Sequence, residues 1–229
     1  VYKRQVVINM SLVGQEEFHS LYPYMLSVFE AGYSMGRLMT LFSPGEQIGD
    51  IVVPSGMFGV GTVCSITLNG VLNAHGIPVF SRFGGLLEYR DWKPARFTAI
   101  INYDGTTLDP LEIFIKSGMT DYRGAVGSGN GQIGAGFREM PSSSRDKVLE
   151  LAAELESIGL GGFLEVGYPG QDLREIPINE GRIGAIVIGG LNPMAILEEH
   201  GIKVSSRALS ALIDYERLFP YTELTKRLR

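Results

Sequence analysis

Moved along itself by 125 residues, the sequence matches itself without a gap, and Ile51 to Leu87 then overlies Ile176 to Leu212 with 11 identities in 37 positions. The densest block sets His75-Gly76-Ile77-Pro78-Val79-Phe80-Ser81-Arg82 over His200-Gly201-Ile202-Lys203-Val204-Ser205-Ser206-Arg207. Gly56/Gly181, Gly59/Gly184 and Leu72/Leu197 hold the same register, and Pro44-Gly45/Pro169-Gly170, Gly36/Gly161, Leu26/Leu151 and Ile8/Ile133 extend it toward the N-terminus. Self-similarity at a fixed spacing means one supersecondary unit used twice. The expected organisation is therefore a first repeat over residues 1–91, an unpaired insert over 92–129 and a second repeat over 130–229, with the repeats packed about a pseudo-twofold axis.

Each unit reads as β-α-β-β-β-α-β, which predicts an α/β fold, with α+β as the second choice. Residues 5–13 are β-branched and loosely alternating, as in a strand. Phe18, Leu21, Met25, Val28 and Phe29 fall at helical spacing around Pro23, and Val148, Leu149, Leu151, Ala152, Leu155 and Ile158 do so in the second unit before Gly159. Strands are expected at 37–42 and 162–167, then Pro-Gly turns, then apolar runs at 57–66 and 182–188. A short helix closes each unit, with Thr67 and Asn192 as N-caps and Gly76 and Gly201 as left-handed stops. His75 and His200 then occupy the last turn, facing the negative end of the helix dipole.

Charge and cysteine content remove several classes of function. Net charge is −5, and no stretch gathers the basic residues needed to release counterions from a phosphate backbone. One cysteine, Cys64, excludes an intrachain disulfide, and the three histidines are too scattered for a zinc site, so no metal or cofactor is expected. No apolar run reaches a membrane-spanning length and no signal segment opens the chain, which points to the cytoplasm. Mean hydropathy of +0.11 exceeds what this little charge explains, which predicts a homodimer burying apolar surface.

The chemistry-bearing motifs each have two readings. Gly129-Asn130-Gly131-Gln132-Ile133-Gly134 spells a dinucleotide fingerprint, yet the repeat aligns it with an opening strand rather than a helix. Cys64 precedes a helix and is either a nucleophile or a small residue at a strand end; the second repeat has Gly189 there. The free N–H groups of that helix, with Cys64, Ser65, Thr67 and Asn69, form a receptor for a carboxylate or phosphate. Arg82 either supplies a charge-assisted fork to that receptor or forms an inter-repeat salt bridge, since Arg207 repeats it. In the insert, Asp109-Pro110 starts a short helix; Thr106 and Thr107 precede it, in a specialised site or a docking element.

Several ordered stretches resemble one family. Val63-Cys64-Ser65-Ile66-Thr67-Leu68-Asn69-Gly70, His75-Gly76-Ile77-Pro78-Val79, Arg82-Phe83-Gly84-Gly85, Gly105-Thr106-Thr107-Leu108-Asp109-Pro110-Leu111-Glu112, Phe137-Arg138-Glu139 and Gly189-Gly190-Leu191-Asn192-Pro193 are similar to the regulatory domain of NrpR, the nitrogen-regulatory repressor family of methanogenic archaea. The resemblance implies effector sensing and dimerisation, with 2-oxoglutarate as effector and DNA contacted through a separate winged-helix domain that this sequence does not show. Combined with the residue chemistry, it predicts that the dicarboxylate sits where Cys64, Ser65, Thr67, Asn69, Arg82, Thr106 and Thr107 converge. The competing expectations are an enzyme using Cys64 as nucleophile and a purely structural dimerisation module.

Overall fold

Fourteen backbone positions bend into the left-handed region at glycine, and several of them recur 125 residues apart: Gly45/Gly170, Gly56/Gly181 and Gly76/Gly201. Those turns punctuate a computed structural model that describes residues 4–228; residues 1–3 and 229, at the outer ends of the two expected repeats, lie outside the described residues. The first half runs β1 (Gln5–Gly14), α1 (Gln15–Glu30), β2 (Leu38–Phe42), β3 (Gln47–Ile48), β4 (Ile51–Val52), β5 (Met57–Val63), α2 (Ile66–Ala74) and β6 (Phe80–Arg90). The segment without counterpart carries β7 (Lys93–Asn102), α3 (Pro110–Lys116) and α4 (Tyr122–Ser128). The order then recurs as β8 (Gly131–Pro141), α5 (Arg145–Ser157), β9 (Phe163–Val166), β10 (Arg182–Ile188), α6 (Asn192–Glu199) and β11 (Ser205–Asp214), closed by β12 (Phe219–Pro220) and α7 (Leu224–Arg227). Where one strand was expected between β2 and β5, the chain forms the β3–β4 hairpin, in which Ile48 faces Ile51; an isolated bridge between Leu173 and Ile176 repeats it.

Helices and sheets combine in a mixed α/β chain in which all described strand pairs are antiparallel. The two large sheets have the orders β11-β1-β5-β2-β12 and β7-β6-β8-β10-β9. Each half therefore lends its last strand to the other's sheet: β11 lies beside β1, and β6 beside β8. An isolated unit would leave the edge of its first strand open, and the exchange covers it with backbone partners. The preceding helices travel with those strands. Leu72 of α2 packs with Val148 and Leu151 of α5 over Met140, Ile183 and Ala185, while Met194 and Ala195 of α6 share a core with Phe18, Met25 and Val28 of α1. Fully burying one such side chain stabilises by about 1.5–3 kcal/mol.

Two local expectations need correction. The ladders set Ile8 opposite Val63 but Ala135 opposite Ile188, so the opening strands correspond at an offset of 127 rather than 125, and Ile8 is matched by Ala135 instead of Ile133. A two-residue slip keeps every side chain on its original face, so the hydrophobic pattern hides it. Thr67 and Asn192 are not N-caps: Ser65 and Leu191 hold those positions, and neither caps through its side chain. Pro23 interrupts α1 on its exposed side, opposite the buried Phe18, Met25, Val28 and Phe29, where water can serve the freed carbonyl.

Candidate functional site

The last residues of β5 run straight into α2. The Cys64 N–H donates to Val7 O at 2.8 Å, extending the β1–β5 ladder one step, and Ser65 then turns into the helix. Above this N-terminus stands Arg138 of β8, only 4% exposed. Its Nε donates to Asn69 Oδ1, its Nη2 to Ser65 Oγ and its Nη1 to Phe137 O, each at 3.3 Å. The Tyr103 ring lies 5.5 Å from the guanidinium carbon. Among the described residues no carboxylate comes within ion-pair distance of Arg138. Space for the guanidinium depends on Gly136, where a Cβ would meet Nη1 at 2.8 Å.

A buried cation without a close anion is costly, because desolvation exceeds what neutral hydrogen bonds return. Here all three bonds are long, and two of their acceptors are neutral side chains on α2. The first N–H groups of a helix lack intrahelical partners and carry partial positive charge. At α2 the N–H groups of Thr67 and Leu68 donate to Cys64 O and Ser65 O at 3.0 and 3.1 Å, so the unspent charge at this helix end is the guanidinium of Arg138.

The structure brings together only some of the residues expected from the sequence. Cys64, Ser65 and Asn69 line the cluster, and Asn69 Nδ2 also donates to Ser81 Oγ at 3.0 Å. Burial pushes the Cys64 thiol up, so it keeps its proton and is a poor nucleophile at neutral pH. Thr67 faces inward instead, donating to Val7 O at 3.3 Å and accepting from Val7 N–H at 3.2 Å, which tethers α2 to β1. Thr106 bonds within its own turn, to Leu108, and Thr107 is exposed. From the same segment it is the Tyr103 ring that faces Arg138, while Asp109 caps α3.

Arg82 is elsewhere. A register break in the β6–β8 ladder at this residue turns it to the face of Glu139, opposite that of Arg138 because successive strand residues point to opposite sides. There it pairs with Glu139 at 2.7 Å and donates to Pro177 O at 2.8 Å. Of the two readings for Arg82, the salt bridge describes what it does. The residue that the sequence reading left out is Arg138. Its signal was a charge directly after the small, apolar Ile133-Gly134-Ala135-Gly136-Phe137 run of a buried strand, beside Glu139 on the opposite face.

The remaining motifs have structural uses. No helix follows the glycine run: Gly129 ends α4 in the left-handed region and Gly131 opens β8. His75 and His200, expected in the last turn, are the C-cap residues that follow it, His75 Nδ1 lying 2.9 Å from Val71 O and His200 stacked on Tyr24 at 3.8 Å. Among the described residues no group of three or more His, Cys, Asp or Glu could hold a metal ion, and no helix is long and apolar enough to cross a membrane.

Comparison with known proteins gives a consistent set of relatives. The sequence matches the family model for NrpR regulatory domains NRD1 and 2 over residues 2–220. It is 33% identical to the global nitrogen regulator NrpRI of Methanosarcina mazei over 216 residues, covering 94% of this chain and 66% of that protein. Identity to the global nitrogen regulator NrpR of Methanococcus maripaludis is 28%, covering 93% of this chain and 37% of that protein. For the NrpR of Methanocaldococcus jannaschii it is 26%, with 96% and 36% covered. The chain thus spans between about a third and two thirds of these relatives. The fold superposes on the crystal structure of a nitrogen repressor-like protein from Methanococcus jannaschii with a TM-score of 0.79 at 24% identity, covering 95% of this chain and 88% of the other.

Proposed function

The chain belongs to the family of NrpR regulatory domains, and from that premise we propose that it is the effector-sensing and dimerisation domain of a transcriptional repressor of nitrogen genes, with 2-oxoglutarate as effector. The observation that carries the reading is Arg138, a buried guanidinium without a close anion, held over the N-terminus of α2. A small dicarboxylic 2-oxo acid supplies what this cluster lacks. One carboxylate takes the fork of Arg138, and the hydroxyl of Ser65 and the amide of Asn69 orient it.

Arg138 takes the role first expected of Arg82, and Ser65, Asn69 and Tyr103 take that expected of Thr67, Thr106 and Thr107. Relatives named as global nitrogen regulators support regulation over catalysis. The buried, protonated thiol of Cys64 argues against its use as a nucleophile. DNA is contacted through a winged-helix domain outside this chain, in the cytoplasm, since a chain of net charge −5 offers little to a phosphate backbone. Copies of the domain pair, using apolar surface such as the outer edge of β7, where Ile100 is exposed. Sedimentation at twice the 25.0 kDa chain mass checks this, and a single 25.0 kDa species at micromolar concentration rules it out.

Isothermal titration of 2-oxoglutarate, with the ligand re-assayed afterwards for turnover, tests the effector site. The parent binds without consuming ligand. Arg138→Gln loses at least about thirtyfold in affinity, the low end of the cost of removing one partner of a buried charged pair. A parent that binds nothing at millimolar concentration defeats the proposal and leaves dimerisation as the role of this chain.

A further inference from the structure

The segment peculiar to the first half sends a tyrosine to each helix end: Tyr122 to α6, where its hydroxyl bonds Asn192 at 2.6 Å, and Tyr103 to α2, where its ring lies against Arg138. Tyr103 is placed by backbone. Its N–H donates to Arg82 O at 3.0 Å, carrying the β6–β7 ladder one step past Asn102, and its O accepts the Thr106 N–H at 3.3 Å. The floor beneath it is glycine. Gly84 and Gly136 are partners in the β6–β8 ladder and so share a face of the sheet. A Cβ on Gly84 would come within 2.8 Å of Pro110 Cβ and 3.3 Å of the Tyr103 hydroxyl, and one on Gly136 within 2.8 Å of Arg138 Nη1. Tyrosine and guanidinium therefore both rest on a strip of bare backbone. In the other half Leu209 and Ser11 hold the places of Gly84 and Arg138, so neither the bare floor nor the cation recurs.

We propose that Tyr103 is the positioning residue of the anion receptor: its ring holds the Arg138 guanidinium in one orientation, with the fork presented to the incoming carboxylate. This rests on the reading of Arg138 as an anion receptor and deepens it. Hydrogen bonds alone hold the group loosely, since all three are 3.3 Å long and two end on side chains at the start of α2. A guanidinium is planar, weakly hydrated and stacks on aromatic faces. A ring centred 5.5 Å from its carbon therefore shields one side from water without using up a donor. An arginine already fixed has less rotamer freedom to lose on binding, and its affinity for a carboxylate rises accordingly. Burial pushes the Tyr103 hydroxyl up, so the ring stays neutral and brings no charge to compete with the ligand.

Tyr103→Phe keeps the ring and removes the hydroxyl, whereas Tyr103→Leu and Tyr103→Met fill the space without a ring. In calorimetric titration of 2-oxoglutarate, Tyr103→Phe stays within about twofold of the parent and the two ringless variants lose about tenfold, the scale of a desolvated cation–π contact. The NMR signal of the Arg138 Nε–H, assigned by its loss in Arg138→Gln, reads the positioning itself. It is sharp in the parent and in Tyr103→Phe, and it broadens by exchange with water in the ringless variants. Folded ringless variants that bind like the parent and keep that signal overturn the positioning role. Tyr103→Phe falling as far as Tyr103→Leu overturns it too, because the effect then belongs to the hydroxyl. Should both ringless variants fail to fold, the parent spectrum decides, and an Arg138 Nε–H already lost to exchange overturns the role. If Arg138→Gln weakens binding while the ringless variants match the parent, the effector site stands and only the role of Tyr103 falls. If parent and Arg138→Gln bind equally, or neither binds, the reading of Arg138 fails and this role with it.

Discussion

The N-termini of α2 and α6 occupy matching places in the two halves, yet one gathers unspent charge and the other is sealed. At α6, Asn192 is fully buried: its Nδ2 donates to Tyr33 O at 3.0 Å and Gly134 O at 2.9 Å, and its Oδ1 accepts from the Tyr122 hydroxyl at 2.6 Å. Tyr122 closes the circuit by accepting the Gly134 N–H at 2.8 Å. Gly189 and Gly190 leave no room for a side chain, since a Cβ on either would strike Asn192 or Asn9. At α2 the same positions carry Cys64 and Ser65, Thr67 replaces Asn192, and Asn69 replaces Met194. Facing them is Arg138, whose ladder counterpart is Ser11, bonded at 2.8 Å to Ser206. The two halves thus build two similar helix ends with different surroundings. Tyr122, from the unpaired segment, bonds the side chain at one, and the other keeps a buried cation. Specialisation here needed a handful of side chains and no change of fold.

The largest effect that sharpens this contrast is on the sealed end. Asn192→Ala strips Tyr33 O, Gly134 O and the Tyr122 hydroxyl of a partner at once, so chemical denaturation should register a loss of about 3–5 kcal/mol. A loss below about 1 kcal/mol would mean that water enters and that the two ends differ less than their geometry indicates. Next comes Arg82→Ala. It leaves Glu139, whose side chain is 9% exposed, without its ion pair. Because Arg82 itself is 29% exposed, the cost is about 1–2 kcal/mol, below that of a fully buried pair. Affinity for 2-oxoglutarate stays at the parent value, and a large drop would return Arg82 to the binding site. Smallest in stability is Arg138→Gln, which removes a charge that has no close anion and shifts unfolding by less than about 1 kcal/mol while abolishing tight binding. A collapse of the fold in that variant would make Arg138 structural, like Asn192.

Much of the scaffold was legible because its signals are local. The helical spacing of Phe18, Met25, Val28 and Phe29 survived Pro23, and Gly76 and Gly201 stop their helices with φ of +74° and +83°. Asp109-Pro110 begins α3 as read, because a cap acts on N–H groups two and three residues away. The 125-residue spacing gave the repeated element order. It could not reveal the two-residue slip of the opening strands, which leaves the alternation intact.

What the sequence determined by itself, then, was the list of elements, their order and the presence of a polar helix N-terminus rich in hydroxyl and amide groups. Only the tertiary structure decided that β6 and β11 change sheets, since strand partners are chosen among segments far apart in the chain. That exchange brings Arg138 of β8 over α2, and the insert brings the Tyr103 ring against its guanidinium. It also leaves Thr67 against Val7 and, through the break at Arg82, that arginine on the wrong face. Local rules reach about one helical turn, whereas the buried Arg138 meets partners 69 and 73 positions away only when the sheets close.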